Sequence, residues 1–419
     1  MSVMRYDVEY GKGTLSLDVP EERVIGTMGP RRVRAVPDVL AATRRALEEP
    51  LGTRPLGELL AGKRSALIVT VDHTRPSPQA LVQPVLDACA RLGVKPTIII
   101  ATGRHRPMTE RELRRHLGPR ILRACPVLQH DPFDERGMVD CGVTSRGTPI
   151  RVNGELFRHE VVIGCGIVEP SYLAGWSGGR KLLMPGLAHH ESIDNNHFYI
   201  THLDTRMGRL TGNPVSEDAA EFAAKLPFHL IVYSVSGPND EVTEVVAGHP
   251  VKAHVHACLR SERIYRVRPR LADIVISSAG GHPYDCDLVQ GKKAIIPAAE
   301  CVKRNGVIIL CSACPDGLGA EKTFIDWLRT KTPTDVVRDA QDRKLFSLGA
   351  HGANILARPI VDKNANVIMV TRPEVAQLLQ GSYVTPLTRL TDAWRLANLI
   401  TGKDSSVLFI RKARRLIVN

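Results

Sequence analysis

The residues best equipped for chemistry lie between Ile167 and His202, where a carboxylate and a glycine-rich turn precede the adjacent cations Arg180 and Lys181. Glycine permits close backbone approach, and exposed N–H groups beside cations suit a phosphate or a carboxylate. Imidazole nitrogens can bind a metal or transfer protons. The segment therefore indicates an enzyme site for an anionic cofactor that could carry a metal. Its four histidines are His189, His190, His197 and His202.

Three further polar motifs follow short apolar strands elsewhere in the chain. DHTRP supplies Asp72 with Arg75, TGRHRP supplies His105, and GGHPYDCDLVQGKK supplies Gln290 with Lys293. A capped turn, a surface histidine or a solvated lysine would explain any one of them alone. Because open parallel sheets bind ligands at the carboxyl ends of their strands, the repeated placement favours one functional site.

Several familiar sites are excluded by spacing. The glycine-rich turn reads Gly178-Gly179-Arg180-Lys181-Leu182, which lacks the GKS or GKT ending of a Walker A loop, and no GxGxxG follows a strand. Cys311 and Cys314 form the one CxxC, and no second pair completes a zinc site. The nine cysteines are best explained as reduced thiols, which predicts a cytoplasmic protein.

Composition excludes two classes of partner. The net charge of +12 comes from arginines spread along the whole length, aromatic residues make up only 5%, and no nucleic-acid-binding module is recognisable. No apolar run approaches the roughly 20 residues of a membrane helix, and the N-terminus has no apolar signal region. We therefore expect neither a nucleic-acid nor a membrane partner.

The order of strand-like and helix-like patterns predicts an α/β fold. A hairpin at 5–17 is followed by alternating strands and helices, and the alternation restarts after the basic stretch 263–270. The 419 residues are enough for two cores. We predict two α/β domains, 1–265 with the glycine-rich motif and 271–400, then a strand-like tail at 401–419, with the active site in the interdomain cleft.

Together these motifs carry a family resemblance. DHTRP, TGxHRP, E-P-x3-A-G-x-S-G-G-x-K-x3-P-G followed by NNH, and GGxPxDxxxxQxxKA look like the nickel-pincer nucleotide-dependent lactate racemase family, which comprises 2-hydroxy acid racemases and epimerases. The resemblance spans about residues 65–300, and both the order and the internal spacing of the motifs match.

The resemblance implies a covalently held cofactor. In the family, a lysine holds pyridinium-3,5-bisthiocarboxylic acid mononucleotide through a thioamide, and nickel is bound by one carbon and two sulfurs of the cofactor and by one histidine. By position, Lys181 would be the linking lysine and His197 the nickel ligand. The cofactor-binding residues around the phosphate would be Thr74, Ser177, Gly178, Gly179 and Arg180. Enzymes that make the cofactor would then be partners.

The resemblance also implies the reaction. A 2-hydroxy acid would lose its hydroxyl proton to a base while its C2 hydride moves to the cofactor and returns on either face. Arg75 and Lys293 would clamp the small anionic substrate by its carboxylate, and Gln290 would help orient it. Asp72 would organise its loop, and His105 would be a general base.

Two positions depart from the family pattern. Ser171 stands where the family has a second catalytic histidine in an EPH triplet, and Val289 replaces an aromatic residue. A serine hydroxyl is a poor base unless another group activates it. We therefore expect the substrate to be a sugar acid or another larger 2-hydroxy acid rather than lactate. Stand-ins for the missing base would be Tyr172, His189, His190 or His202.

Two alternatives remain open at the level of sequence. One is a conventional zinc enzyme that uses the four histidines of the 189–202 segment. The other is a non-catalytic protein that binds the cofactor or an anionic metabolite. Nickel content would separate the first from the racemase prediction, and activity screening would separate the second. The sequence does not indicate an oligomeric state.

Overall fold

The computed structural model describes residues 2–419, which fall into two compact α/β units. The N-terminal unit is 32–264, and the C-terminal unit combines the first 31 residues with 265–419. The fold class is confirmed, and the crossing near 263–270 is found. The predicted boundaries differ, because the chain crosses a second time after Arg31.

Twenty strands form the sheets, in chain order: β1 Val3–Tyr10, β2 Gly13–Pro20, β3 Val24–Met28, β4 Ser65–Val71, β5 Lys95–Ala101, β6 Val127–Gln129, β7 Met138–Val143, β8 Pro149–Asn153, β9 Val161–Val168, β10 Pro170–Ser171, β11 Gly175–Trp176, β12 Leu230–Ser236, β13 Val242–Gly248, β14 Arg266–Val267, β15 Ala272–Ser278, β16 Val302–Cys311, β17 Asn366–Val370, β18 Thr385–Leu387, β19 Val407–Ile410 and β20 Ile417–Val418.

The α-helices are α1 Val39–Glu48, α2 Leu56–Leu60, α3 Gln79–Arg91, α4 Glu110–Ala124, α5 Glu155–Arg158, α6 His190–Phe198, α7 Pro214–Ala224, α8 Lys252–Tyr265, α9 Leu288–Gly291, α10 Ile295–Cys301, α11 Lys322–Thr330, α12 Pro333–Asp339, α13 Ala350–Lys363, α14 Pro373–Leu378 and α15 Leu390–Thr401. Within residues 2–419, no helix is long and apolar enough to cross a membrane.

The sheet of the N-terminal unit has the order β13-β12-β9-β4-β5-β6. All neighbours are parallel except β12 and β13. Strand β9 is buried at every position, as expected of a parallel strand covered on both faces. Because β9, β4 and β5 are adjacent and parallel, the loops that follow them meet at one edge of the sheet. These are the loops that carry three of the predicted motifs.

The sheet of the C-terminal unit is wholly parallel, with the order β18-β17-β16-β15-β19-β3. The predicted tail at 401–419 does contain strands, but β19 lies inside this sheet between β15 and β3, so the tail is part of the C-terminal unit rather than a separate segment. The first 31 residues join this unit for the same reason, because β3 pairs with β19. Sequence periodicity predicted alternating strands and helices in this region but could not show which distant strand each strand would pair with.

Candidate active site

A carboxylate and an imidazole meet where β4 and β5 end. Asp72 follows β4 and is buried, and its Oδ2 accepts a hydrogen bond from Nδ1 of His105 at 2.6 Å. Thr74 donates to Oδ1 of Asp72 from its amide at 3.0 Å and from its hydroxyl at 2.5 Å. The structure therefore brings together three of the predicted site residues, and Thr74 acts here on Asp72.

The hydrogen bonds keep Asp72 ionised. Burial tends to raise the pKa of its carboxyl, but the bond and charge of His105 and the two bonds from Thr74 outweigh burial and lower that pKa to about 2. An ionised carboxylate on Nδ1 fixes the imidazole orientation and leaves Nε2 as the nitrogen that can take a proton. The His105 side chain is 54% exposed, so this nitrogen is accessible.

The two arginines beside His105 are neutralised by separate carboxylates. Arg104 donates from one nitrogen to both oxygens of Asp194 at 2.9 Å, and Arg106 binds Glu112 through two nitrogens at 2.6 and 2.8 Å. Their positive charges beside the imidazole are thus partly offset. The Arg106 partner also caps α4, where Thr109 and Glu112 form a capping box.

The glycine-rich turn is held tightly against the end of β9. Gly178 has φ 76°, and a Cβ on it would lie 2.9 Å from the carbonyl oxygen of Ile167. Ser177 donates its hydroxyl to that same carbonyl at 3.0 Å and accepts from the amide of Glu169 at 2.9 Å. Only glycine fits this approach. Both hydrogen bonds of the Ser177 hydroxyl go to backbone groups, so they do not support the predicted contact between Ser177 and the cofactor phosphate.

Two buried residues behind the turn were missed by sequence reasoning. Tyr233 donates its hydroxyl to the carbonyl oxygen of Gly179 at 3.1 Å, and Nε2 of His254 lies 2.9 Å from the carbonyl oxygen of Ser177. A Cβ on Gly179 would come within 2.6 Å of the His254 ring. Both residues lie more than fifty positions downstream on β12 and α8, and no local pattern connects them with the turn.

Lys181 lies in a 3-10 turn, Gly179–Leu182, and its amine is unusually easy to deprotonate. Burial first, then the positive charges of Arg75 and Arg180, lower the pKa of Lys181 to about 7, although the Glu169 carboxylate opposes the shift. Near neutral pH a large share of this lysine is therefore the neutral, nucleophilic amine.

Glu169 is a further residue of the site. In the sequence analysis it served only as the first residue of the triplet in which Ser171 replaces a histidine. Its buried side chain forms an ion pair with Arg75, with 3.6 Å between Oε1 and Nε. Glu169 follows β9 directly, as Asp72 follows β4, so its position after a strand was the available signal. The pair connects the predicted substrate clamp to the charges around Lys181.

Helix α7 packs against both the Lys181 turn and α6, which carries His197. Arg180 donates to the hydroxyl of Ser216 on α7, so the guanidinium of this predicted phosphate ligand contacts that helix. On α6, Asn196 donates to Asp218 of α7 at 2.7 Å within a buried polar network. These bonds fix the position of the buried His197.

The four histidines of the 189–202 segment do not form one cluster. In residues 2–419, the group with metal-binding spacing is Glu135, His189 and His190. Arg151 lies 3.2 Å from Nδ1 of His189 and also pairs with Glu135, so two members of this group already contact a guanidinium. His202 is exposed on a separate loop. The zinc alternative therefore loses its predicted set of four histidine ligands. The nickel prediction is unaffected, because it needs only one histidine, His197.

Ser171 lies in a two-residue strand, β10, where it pairs with Gly175 of β11. Tyr172 packs against the small apolar cluster that includes Ile200 and Val215. His189 lies 3.0 Å from the Glu135 carboxylate through Nε2, and His190 stacks on Phe133 at 4.9 Å. None of these contacts places Tyr172, His189 or His190 against the Ser171 side chain, where one of them could replace the missing base.

In the C-terminal unit, the predicted Gln290 and Lys293 are in contact. Nζ of Lys293 donates to Oε1 of Gln290 at 2.5 Å, and α9 is capped by Asp287, which accepts from the Gln290 amide at 2.7 Å. Gln290 lies on the short α9, and Lys293 lies on the 3-10 turn that follows it, Lys292–Ala294. The turn places both side chains after β15.

Comparisons with known proteins agree across the whole chain. Family models for the lactate racemase N-terminal and C-terminal domains match residues 10–208 and 267–418. A lactate racemase of Thermoanaerobacterium thermosaccharolyticum is 32% identical over 98% of both chains. A lactate racemase of Lactiplantibacillus plantarum is 29% identical over 98% of this chain and 99% of the relative.

Solved structures give the same result. The lactate racemase apoprotein from Thermoanaerobacterium thermosaccharolyticum superposes with a TM-score of 0.91, over 99% of this chain and 100% of that one, at 32% identity. A Thermotoga maritima protein superposes with a TM-score of 0.68 at 17% identity, over 91% of this chain and 98% of that one. The second likeness shows the fold alone.

Proposed function

The chain belongs to the lactate racemase family, an isomerase family, and we propose that it inverts C2 of a 2-hydroxy acid with a nickel-pincer nucleotide linked to Lys181. The observation that carries the proposal is the Lys181 amine, whose pKa is lowered to about 7 at the end of a glycine turn that tolerates no Cβ. A thioamide link needs a neutral amine, and a nucleotide needs a close backbone approach.

The residues present fit such a group. The backbone of Gly178 and Gly179 would approach the nucleotide, Lys181 would hold it, and His197 would supply one imidazole to nickel. Metal binding requires a neutral imidazole nitrogen, and the buried side chain of His197 suits that state. When bound, the group would accept and return the C2 hydride of the substrate.

His105 and Asp72 would handle the hydroxyl proton of the substrate. With Nδ1 bonded to the ionised Asp72, Nε2 of His105 would take the proton as the C2–H bond breaks and return it afterwards. The Asp72 carboxylate would stabilise the imidazolium formed in between. This arrangement supports the predicted role of His105 as a general base, and it gives Asp72 a role beyond organising its loop.

A carboxylate clamp would orient the substrate. Arg75 would bind one oxygen through the guanidinium that now pairs with Glu169, and the Lys293 ammonium would bind the substrate carboxylate with help from Gln290. Charge-assisted bonds of this kind are the strong ones in proteins. Loss of either cation would weaken binding in both the ground state and the transition state.

Ser171 favours a substrate that carries its own hydroxyl groups. A hydroxyl beside a planar 2-keto intermediate is too weakly basic to replace a histidine. Further hydroxyl groups on the substrate would extend a proton relay through Ser171. We therefore propose a sugar acid or another larger 2-hydroxy acid as substrate, with poor turnover of lactate.

The test is co-expression with the cofactor-making enzymes, followed by intact mass, nickel analysis and C2 inversion assays. We expect a covalent adduct, nickel, weak lactate racemisation and faster inversion of a polyhydroxy acid. Ser171→His should raise lactate turnover, with Ser171→Ala as the matched control that supplies no base. Rapid lactate racemisation by the unmodified loaded protein would overturn the substrate proposal, and a loaded protein inactive on every 2-hydroxy acid would overturn the reaction.

A further inference from the structure

Helix α13 begins at the edge of the C-terminal sheet where Gln290 and Lys293 lie. This helix leads into the parallel strand β17, so its N-terminal end lies at the carboxyl ends of the strands. Gly352 in its first turn has no room for a Cβ, which would lie 2.9 Å from Cε and 3.2 Å from Nζ of Lys292. The start of α13 therefore packs directly on the turn that carries the proposed substrate lysine.

Two polar side chains near the start of α13 are buried. His351 is 4% exposed and Asn354 is 8% exposed, and their spacing of three places them on one face of the helix. The side-chain oxygen of Asn354 is buried and accepts no hydrogen bond from the described residues 2–419. Such an oxygen is costly to leave unpaired, so it indicates a ligand that donates to it.

The charges at this place favour a neutral partner over a second anion. Lys292 is fully buried, lies over the Phe324 ring at 4.8 Å and is 3.8 Å from the Glu321 carboxylate, so its charge is already compensated. Burial and then the charges of Lys292 and Lys293 lower the pKa of His351 to about 3, so its imidazole is neutral. A neutral imidazole offers one donor and one acceptor.

We propose that His351 and Asn354 form a subsite for substrate hydroxyl groups beside Lys293, which selects 2-hydroxy acids with further hydroxyls at C3 and C4. This inference rests on the proposed function and names its substrate class. A substrate hydroxyl can donate to Oδ1 of Asn354 and exchange hydrogen bonds with the imidazole of His351. A methyl group can do neither, and it would leave the Asn354 oxygen dry and unpaired.

The test compares two four-carbon acids that differ only in hydroxyl content, threonate and 2-hydroxybutyrate. The cofactor-loaded enzyme should invert C2 of threonate with the higher kcat/KM. In His351→Phe and in Asn354→Leu, the threonate-to-2-hydroxybutyrate ratio of kcat/KM should fall by about 10- to 100-fold, mainly through KM, because a buried polar group loses its partner. The control is His229→Phe. His229 directly precedes β12 at the amino ends of the strands in the N-terminal sheet, and its replacement should leave the ratio unchanged.

A binding measurement on the cofactor-free protein separates failure of the subsite from failure of the proposed function. Threonate should shift the His351 ring signal in NMR spectra of histidine-labelled protein, identified by its loss in His351→Phe, whereas 2-hydroxybutyrate should not. A shift without any turnover would sink the reaction but keep the subsite. The subsite would be overturned if both acids shifted the His351 signal equally, or if the threonate-to-2-hydroxybutyrate ratio of kcat/KM were unchanged in both variants. It would also be overturned if the enzyme preferred malate, which carries a second carboxylate, over threonate.

Discussion

Lys181 and Lys292 occupy similar local structures in the two units but have different neighbours. Each lies in a 3-10 turn close behind a glycine that has no space for a Cβ, and each is followed or preceded by a second cation. Burial is the largest effect on both amines and lowers the pKa of each. Local sequence therefore makes the two lysines look equivalent.

The charges around each lysine separate their roles. Arg75 and Arg180 add to the effect of burial at Lys181, and a single carboxylate, Glu169, opposes them. At Lys292, the carboxylates of Glu321 and Asp287 both act against burial. Lys292 also donates to a backbone carbonyl at 2.9 Å. The two lysines therefore differ in their neighbouring charges, which add to the effect of burial at Lys181 and oppose it at Lys292.

The largest expected effect is on the covalent link. Lys181→Ala should abolish both the cofactor mass adduct and the activity of co-expressed protein, because no other amine at that turn can form the link. Lys292→Met is the matched control and should keep the adduct, measured by intact mass and peptide mapping. An adduct mapped to Lys292 or Lys293 in the unmodified protein would overturn the assignment and the comparison.

The second-largest expected effect is that of removing the metal ligand. His197→Ala should lose most of its nickel on dialysis while the adduct on Lys181 survives, because the imidazole and the lysine act on different parts of the group. Elemental analysis and intact mass measure the two separately. His202→Ala, which removes an exposed histidine on a neighbouring loop, should retain nickel. Equal nickel content in His197→Ala and the parent would contradict the ligand assignment.

Removal of the carboxylate beside His105 should reduce turnover strongly. Asp72→Asn should lower kcat by about 100- to 10,000-fold with little change in KM, since the imidazole loses its orientation and the stabilisation of its protonated form. Glu160→Gln, which removes the carboxylate paired with Arg64 at the amino end of β4, is the control and should stay close to the parent. A similar loss in both variants would indicate a structural role for Asp72.

The carboxylate clamp should show a smaller loss. Arg75→Ala and Lys293→Ala should each lower kcat/KM by an amount equivalent to about 2–5 kcal/mol if the charge pairs are desolvated. Intact mass of Arg75→Ala is needed as well, because Arg75 also lowers the pKa of Lys181. Arg106→Ala, an exposed arginine of the next loop, is the control. Parent-like kinetics in both clamp variants would place the clamp elsewhere.

The smallest effects are shifts in lysine titration. In cofactor-free protein, acetylation of Lys181 followed by mass spectrometry should have its midpoint near pH 7, and Lys292 should stay protected. Arg75→Gln should raise the Lys181 midpoint, and Glu169→Gln should lower it, because they remove charges of opposite sign. Shifts in the same direction for both variants would show that the charges do not set the pKa.

The lowered pKa of Lys181 should make the stability of the protein depend on pH. Between pH 7 and the ordinary pKa of 10.5, unfolded Lys181 binds more protons than folded Lys181, so the free energy of unfolding should rise with pH across this window. Chemical denaturation of the parent and of Lys181→Met at several pH values measures this slope. An identical slope in both proteins would contradict the lowered pKa.

Sequence by itself determined the local features of this protein. Strand and helix periodicity predicted the α/β class, and the motifs predicted a site at strand ends that includes Asp72, His105 and Lys181. These predictions depend on neighbours within a few positions, where residue type and spacing fix the chemistry.

Only the tertiary structure decided which distant residues complete those features. Strand pairing placed β3 and β19 in the C-terminal sheet, and the fold placed Tyr233 and His254 behind the glycine turn. The charge environment that separates Lys181 from Lys292 arises in the same way. The physical reason is that burial and pairwise electrostatics act across space, so residues far apart in sequence set a pKa that no local pattern can reveal.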